Sequence, residues 1–295
     1  MNKPRIKKLS PTPLLLVLAG AVIAAVPLRA HQLTKLVDPN TGFWAAQDIT
    51  VLILYILIAL VCVVSFFISA FSGIMTVPAF KEGRDRVLGV AAALFSVSLV
   101  ADLALRVSKI LSMLSEFTAK GAQNILGFLI PSGVLAMGFE VLFGLIGIIY
   151  LVLISVSAFK GTDIYSSHTM MALAPIFWAM SRLVSDFVNP VNFKNVSQLL
   201  FEMGMLCFAM VFFLSFARIA SEINSDHSMW ILWFTGVMGA LLAFICALAP
   251  VILVITGKGD LIPDKYPVRY CDLGLGLFIS AFLFTVTPLT NEVEN

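Results

Sequence analysis

Long stretches without a single charged residue are the feature of this sequence that most constrains its fold. The ranges 49–71 and 230–256 contain no Asp, Glu, Lys or Arg. The hydrocarbon core of a bilayer is about 30 Å thick, and a helix needs roughly 20 apolar residues to cross it. Charged residues make up only 12% of the chain, about half the fraction that a soluble domain uses to cover its surface. The sequence therefore predicts that lipid surrounds most of the chain.

The apolar segments predict an all-α fold, a polytopic transmembrane helical bundle with about eight spans. The predicted spans are 13–30, 47–71, 87–112, 132–158, 169–188, 197–221, 230–256 and 272–288. Turn clusters and charge runs, such as Asp38–Gly42 and Lys81–Arg86, separate the spans. No connection is long enough to hold a soluble domain, so we predict a single integral membrane domain over residues 1–295.

The first apolar segment has two interpretations. Basic residues precede the apolar run Leu14–Val26, as in a signal peptide, at positions Lys3, Arg5, Lys7 and Lys8. Pro27–Ala30 is a poor cleavage site, so we expect 13–30 to remain as a first span or an uncleaved signal anchor, with a cleaved signal peptide as the alternative. The basic N-terminus predicts a cytoplasmic start and a multi-pass protein of the cell membrane.

Ionisable residues inside the predicted spans are few and lie at a common depth. They are Asp102, Arg106, Glu140, Arg182, Asp186 and Glu202. Such residues cost at least a few kcal/mol each in the apolar core and normally face the protein interior. At a rise of about 1.5 Å per residue, all six lie within roughly 15 Å of the outer end of their spans. We therefore predict a four-helix core over 87–221 with one ligand-binding or ion-binding site.

Helical spacing suggests how these charges pair. Asp102 and Arg106 are four residues apart, as are Arg182 and Asp186, so each pair shares a helix face. The two helices run in the same direction, but the order of charges is reversed. Our hypothesis is that Asp102 meets Arg182 and Arg106 meets Asp186.

Glu140 belongs to a glycine-rich stripe on one helix face, which we expect to pack against protein and not against lipid. The stripe consists of Gly133, Met137, Glu140, Gly144 and Gly147. Glycines allow a neighbouring helix to approach closely. In that environment the carboxyl group must meet a cation, take up a proton or contact water. By depth, Arg106 and Arg182 are the nearest candidate cations.

Other partners are not indicated. The four cysteines have no metal-binding or redox spacing, so we expect them to be small buried apolar side chains. A net charge of +2 is too small to indicate nucleic acid. We expect no metal, no cofactor and no nucleic-acid partner. The stretch Leu33–Trp44 resembles segments of multi-span membrane proteins of Gram-positive anaerobic bacteria that have no assigned activity, which implies a bacterial cell membrane.

Enzyme function is the least favoured interpretation. Gly257–Asp260 fits the GxGD pattern of intramembrane aspartyl proteases, which need the Asp within a helix and a second Asp facing it. The stretch follows an apolar run and precedes a proline-rich loop, which favours a helix end and a turn. None of the common nucleophile, zinc-protease or nucleotide-binding motifs is present.

Two other functions remain. The first is a permease-like or transporter-like protein with an outward-facing polar site for a small cation, a proton or a polar solute. It predicts a water-accessible cavity around Asp102, Glu140 and Arg182. The second is a non-catalytic membrane subunit or sensor that packs on a membrane partner subunit and whose buried charges only fix helix packing. It predicts a sealed cluster.

Overall fold

The computed structural model describes residues 12–38, 48–71, 85–119, 128–130, 132–162, 166–188, 196–221, 225–262 and 269–285. These residues form eight α-helices and no β-sheet. The helices are α1 (Thr12–Lys35), α2 (Ile49–Phe71), α3 (Arg86–Ala119), α4 (Val134–Lys160), α5 (Ala174–Val188), α6 (Val196–Ala220), α7 (Ser225–Ile255) and α8 (Tyr270–Thr285). A 3₁₀ helix, Ser166–Leu173, leads into α5.

The helices follow the apolar segments of the sequence. Seven of them are long and apolar enough to cross a membrane, and α8 is a shorter apolar helix. The prediction of an all-α bundle is confirmed. α1 and α3 run further than predicted, to Lys35 and Ala119, because hydropathy marks the part of a helix that lies in lipid and not the point where its hydrogen bonding stops.

Side chains and glycines set several helix ends. The carboxylate of Asp85 accepts hydrogen bonds from the backbone N–H groups of Val87 and Leu88, both at 3.1 Å, and so caps the start of α3. Gly161 ends α4 with a φ of 71°, the left-handed conformation that glycine adopts at low cost.

The GxGD stretch also lies at a helix end. Gly257 has a φ of 72° and follows α7. Asp260 is exposed in the short 3₁₀ helix Gly259–Leu261. An intramembrane protease would need this Asp inside a helix, so its position supports the interpretation as a turn.

Six helices form a ring in which each packs on the next. α3 packs on α4, α4 on α5, α5 on α6, α6 on α7, α7 on α8, and α8 on α3. α1 and α2 lie outside this ring, packed against α7 and against each other. α1, α3, α5 and α7 all end at one end of the bundle, where the other four helices begin. We call this end the polar end, because the buried charges lie there.

An aromatic layer fills the ring between the polar end and the opposite end. Its buried members are Phe95, Trp178, Phe213, Phe216, Phe278 and Phe282. The ring centroids of Phe216 and Phe282 are 5.0 Å apart, and those of Phe213 and Phe278 are 6.1 Å apart. Such contacts add to the stabilisation from burial alone. The layer joins α3, α5, α6 and α8 and separates the buried charges from the opposite end.

Candidate ion-binding site

All six ionisable residues predicted from the sequence lie within the six-helix ring, near the polar end. They come from four helices: Asp102 and Arg106 from α3, Glu140 from α4, Arg182 and Asp186 from α5, and Glu202 from α6. Glu140 and Arg182 are completely buried, and the other four are largely buried. The ring therefore brings together side chains that are widely separated along the chain.

The shortest ion pair joins α5 to α8. Nη1 of Arg182 lies 2.5 Å from Oδ1 of Asp272, and Nη2 lies 3.0 Å from Oδ2. This arrangement is bidentate, the strongest geometry for an arginine and a carboxylate. The ring of Trp178 lies 5.7 Å from the guanidinium carbon of Arg182 and adds a cation–π contact. Because both ions are buried, this geometry must offset the loss of hydration.

A second group of ions lies nearer the surface. Nε of Arg106 is 3.2 Å from Oε1 of Glu140, and its Nη2 is 3.6 Å from Oδ1 of Asp186. Arg269 donates two hydrogen bonds to Asp186, at 2.8 and 3.3 Å. The side chains of Asp186 and Arg269 are 10% and 13% exposed. These two residues therefore form the outer rim of the cluster.

Cys271 lies between the acids and an arginine. Nη1 of Arg182 donates to Sγ of Cys271 at 3.3 Å, and Sγ lies 3.4 Å from a carboxylate oxygen of both Asp102 and Asp272. The thiol has one hydrogen and can donate it to only one of the two acids at a time. Cys271 thus has a polar role in addition to the apolar packing predicted for it.

The structure contains one of the two predicted ion pairs. Arg106 does contact Asp186. Asp102 does not pair directly with Arg182, because Asp272 occupies that guanidinium and only the thiol of Cys271 connects Asp102 to it. The hypothesis was wrong for this pair because it considered four helices and omitted α8.

Acids outnumber arginines in the cluster. The acids are Asp102, Glu140, Asp186, Glu202 and Asp272, and the arginines are Arg106, Arg182 and Arg269. Glu202 is buried but takes part in none of the ion pairs found among the described residues. With every group ionised, the cluster would carry excess negative charge in a region of low dielectric constant.

Glu140 is the acid of the cluster whose side chain is completely buried. Both of its carboxylate oxygens are buried and lack a hydrogen-bond partner among the described residues. Its contact with Arg106 is an ion pair in which the N–H group does not point at the oxygen. A carboxylate without hydrogen bonds is a costly group to keep ionised in an apolar interior.

Among the described residues, the three side chains around which a transporter predicts an outward opening are buried. They are Asp102, Glu140 and Arg182. Within the described ranges, no three His, Cys, Asp or Glu side chains are arranged to hold a metal ion.

A smaller polar group links α1 to the ring. The buried Arg29 donates to the side chains of Gln32 at 3.5 Å and Gln198 at 3.2 Å. Its guanidinium carbon lies 5.0 Å from the ring centroid of Phe201. Gln32 in turn donates to the backbone oxygen of Thr50 at 2.8 Å. This group ties α1, α2 and α6 together at the polar end.

Sequence analysis missed three of these charged residues. Arg269 and Asp272 are three residues apart at the start of the last apolar segment, where charges are usually interfacial. Their helical spacing was the signal that could have identified them. Arg29 was overlooked because the first span was predicted to end at residue 30, whereas α1 continues to Lys35.

The fold and its buried ionic cluster define the class of protein. Seven apolar helices of spanning length make the chain a multi-pass helical membrane protein in contact with lipid. No protein-family model, no curated protein and no solved structure matches the chain.

Proposed function

We propose that the chain is a permease-like protein of a bacterial cell membrane that takes up protons at the cluster around Glu140, and that the structure is its closed form. Glu140 carries this proposal, because its carboxyl group is fully buried and both oxygens lack a hydrogen bond among the described residues. Protonation removes the charge that burial penalises, so a proton is the ligand that this environment favours most.

The excess of acids distinguishes this proposal from a purely structural cluster. A cluster that only fixed helix packing would gain most from a partner for every charge, since an unpaired buried ion is strongly destabilising. Arg182 and Asp272 meet that requirement. Glu202 takes part in no ion pair among the described residues, and Glu140 has an ion pair with Arg106 but no hydrogen bond there. Protonation of both glutamates balances the cluster without a further cation, and protonation of one halves its excess charge.

Proton uptake by proteoliposomes tests the function. The full-length protein is reconstituted with a pH-sensitive dye inside the vesicles, and an inward proton gradient is imposed. We expect faster acidification than in protein-free vesicles, and we expect Glu140→Gln to lower the rate to the protein-free level. Glutamine keeps the size of the side chain but cannot exchange a proton.

Glu116→Gln is the matched control. Glu116 lies on α3 at the polar end but is exposed, so this variant should acidify at the wild-type rate. Wild-type vesicles that acidify no faster than protein-free ones would reject the proposal. A Glu140→Gln variant that is as active as wild type would also reject it.

The sealed Arg182–Asp272 pair favours a second candidate, a non-transporting membrane subunit or sensor that packs on a membrane partner. Both ions are buried and joined by two hydrogen bonds, as expected of a pair that fixes helix positions. For such a protein, Glu140→Gln should change the free energy of unfolding or the assembly with the partner while wild-type vesicles take up no protons.

A further inference from the structure

α4 and α5, which pack on each other, carry complementary buried polar groups that do not bond to each other. Glu140 on α4 offers two buried acceptor oxygens, and α5 offers two buried donors, the indole N–H of Trp178 and the Nε–H of Arg182. None of these atoms has a hydrogen-bond partner among the described residues. Burying both donors and an acceptor without partners is unfavourable, so each group favours a small molecule that can bond to it.

The indole of Trp178 presents its N–H edge to the glycine stripe of α4. Its Cδ1, the ring atom bonded to Nε1, lies 3.2 Å from the position that a Cβ on Gly144 would occupy. Gly144 is one helical turn from Glu140 on the same face. The donor of Trp178 therefore lies close to the Gly144 level, one turn further from the polar end than Glu140.

Space for a small molecule adjoins this edge. Gly147 follows Gly144 on the same face and is buried, yet a Cβ added to it would have no neighbouring heavy atom within 4 Å. At Gly144, in contrast, an added Cβ would lie 2.8 Å from Leu103. This face of α4 is therefore tightly packed at Gly144, by Leu103 of α3 and Trp178 of α5, and open at Gly147.

We propose that water occupies this α4–α5 interface, bonded to Glu140 and Trp178, and that it relays the proton of Glu140 along α4 towards the aromatic layer. Water donates to a carboxylate and accepts from an N–H group, which matches both sides of the interface. A metal cation would face two N–H donors, and an anion would face Glu140. The relay rests on the proposed proton uptake, but the hydration does not.

Only O–H bonds change in the relay. The protonated carboxyl of Glu140 gives its proton to the water oxygen, and the water passes one of its own protons to the next water beside Gly147. Glu140 is left as a carboxylate beside Arg106 and regains a proton from the polar end. No cofactor or redox partner is needed.

Hydroxyl-radical footprinting with X-rays tests the hydration on the full-length protein in lipid nanodiscs. Radiolysis of a bound water oxidises the side chain next to it. Trp178 and Trp233 are 1% and 0% exposed, and both indole N–H groups lack a partner among the described residues, so Trp233 on α7 is the internal control. We expect Trp178 to be oxidised several times faster than Trp233. Equal, slow oxidation of the two would overturn the proposal.

A variant pair locates the water. Gly147→Leu should fill the open space and lower the oxidation of Trp178 to the rate of Trp233. Gly138→Leu adds the same side chain at an exposed position of α4 where nothing lies within 4 Å and should leave oxidation unchanged. Fast oxidation of Trp178 in Gly147→Leu would contradict the assignment. A dry interface with intact proton uptake rejects the hydration and the relay but leaves the proposed function. A hydrated interface without uptake rejects the proposed function and the relay but leaves the hydration.

Discussion

Arg182 and Asp272 are ions that lie in the protein interior. Each would be costly alone, and their bidentate contact of 2.5 and 3.0 Å supplies the compensation. The stability of this pair therefore depends on both members being present, and removing either one leaves the other as an unpaired buried charge. The pair also joins α5 to α8, so breaking it would also disturb the packing between these two helices.

A double-mutant cycle measures this dependence. We expect Arg182→Met and Asp272→Leu each to lower the free energy of unfolding by about 3–5 kcal/mol, the range for breaking a buried pair. The double variant should be more stable than the sum of the two losses predicts, because it leaves neither ion unpaired. Unfolding of the purified protein in mixed detergent micelles, followed by circular dichroism, provides the measurement.

Arg218→Met is the control for the loss of a cation. Arg218 is exposed in the last turn of α6, so its replacement should change stability by no more than about 0.5 kcal/mol. Additive losses in the cycle would contradict a direct coupling between Arg182 and Asp272.

The sequence predicted the cluster at the residue level better than the pairing within it. The spacing of the charges within each helix, and their reversed order between the two helices, were sufficient to predict that Arg106 contacts Asp186. The partner of Arg182 could not be predicted in the same way, because Asp102 and Asp272 are both acids near the polar end. The choice between them depends on how close α8 packs to α3, which hydropathy does not encode.

α8 packs closely on α3 because Gly274 has no side chain. A Cβ at this position would lie 2.9 Å from the backbone Cα of Phe95 and would clash with Oγ of Ser98. Gly274 also lies about one turn beyond Cys271 and two residues beyond Asp272. The absence of one methyl group therefore helps to place the two α8 residues that contact Arg182.

Gly274→Ala should move α8 away from α3 and weaken the cluster. We expect a loss of about 1–3 kcal/mol in the free energy of unfolding, the usual range for overpacking. Adding Ser98→Ala to the Gly274→Ala variant should restore only part of the lost stability, since the backbone of Phe95 cannot move aside. Denaturation in mixed micelles gives the stability, and proton uptake by the same variant should fall with it.

Gly138→Ala is the matched control on α4. Gly138 is exposed and a Cβ there meets nothing within 4 Å, so alanine should stabilise the helix slightly through its higher helix propensity. If Gly274→Ala were as stable as Gly138→Ala, the close packing of α8 on α3 would not matter for the fold.

At the level of elements, the apolar segments predicted every helix but not the arrangement of helices. The proposed core of 87–221 covered α3 to α6, whereas the ring also includes α7 and α8. Segment length and charge content determine which residues enter lipid. Which helices become neighbours depends on local packing, such as the contact of Gly274 with Phe95, and the hydropathy profile does not contain that information.

The whole molecule is asymmetric along the ring axis. The buried ions and the Arg29 group lie at the polar end, and the aromatic layer lies between them and the opposite end. For the proposed proton uptake, the side of the membrane that the polar end faces therefore decides from which compartment Glu140 would take its proton. Arg86 and Lys160 lie at the opposite end and favour a cytoplasmic location for that end.

Cysteine labelling in intact cells tests this orientation. The native cysteines give little background, because Cys246 and Cys271 are buried and Cys62 and Cys207 lie within apolar spans. Lys35→Cys lies at the polar end and Lys160→Cys at the opposite end, both at exposed positions. We expect a membrane-impermeant maleimide to label Lys35→Cys in intact cells and Lys160→Cys only after permeabilisation. The reverse pattern would place the polar end in the cytoplasm, and Glu140 would then take its proton from the inside and release it outwards.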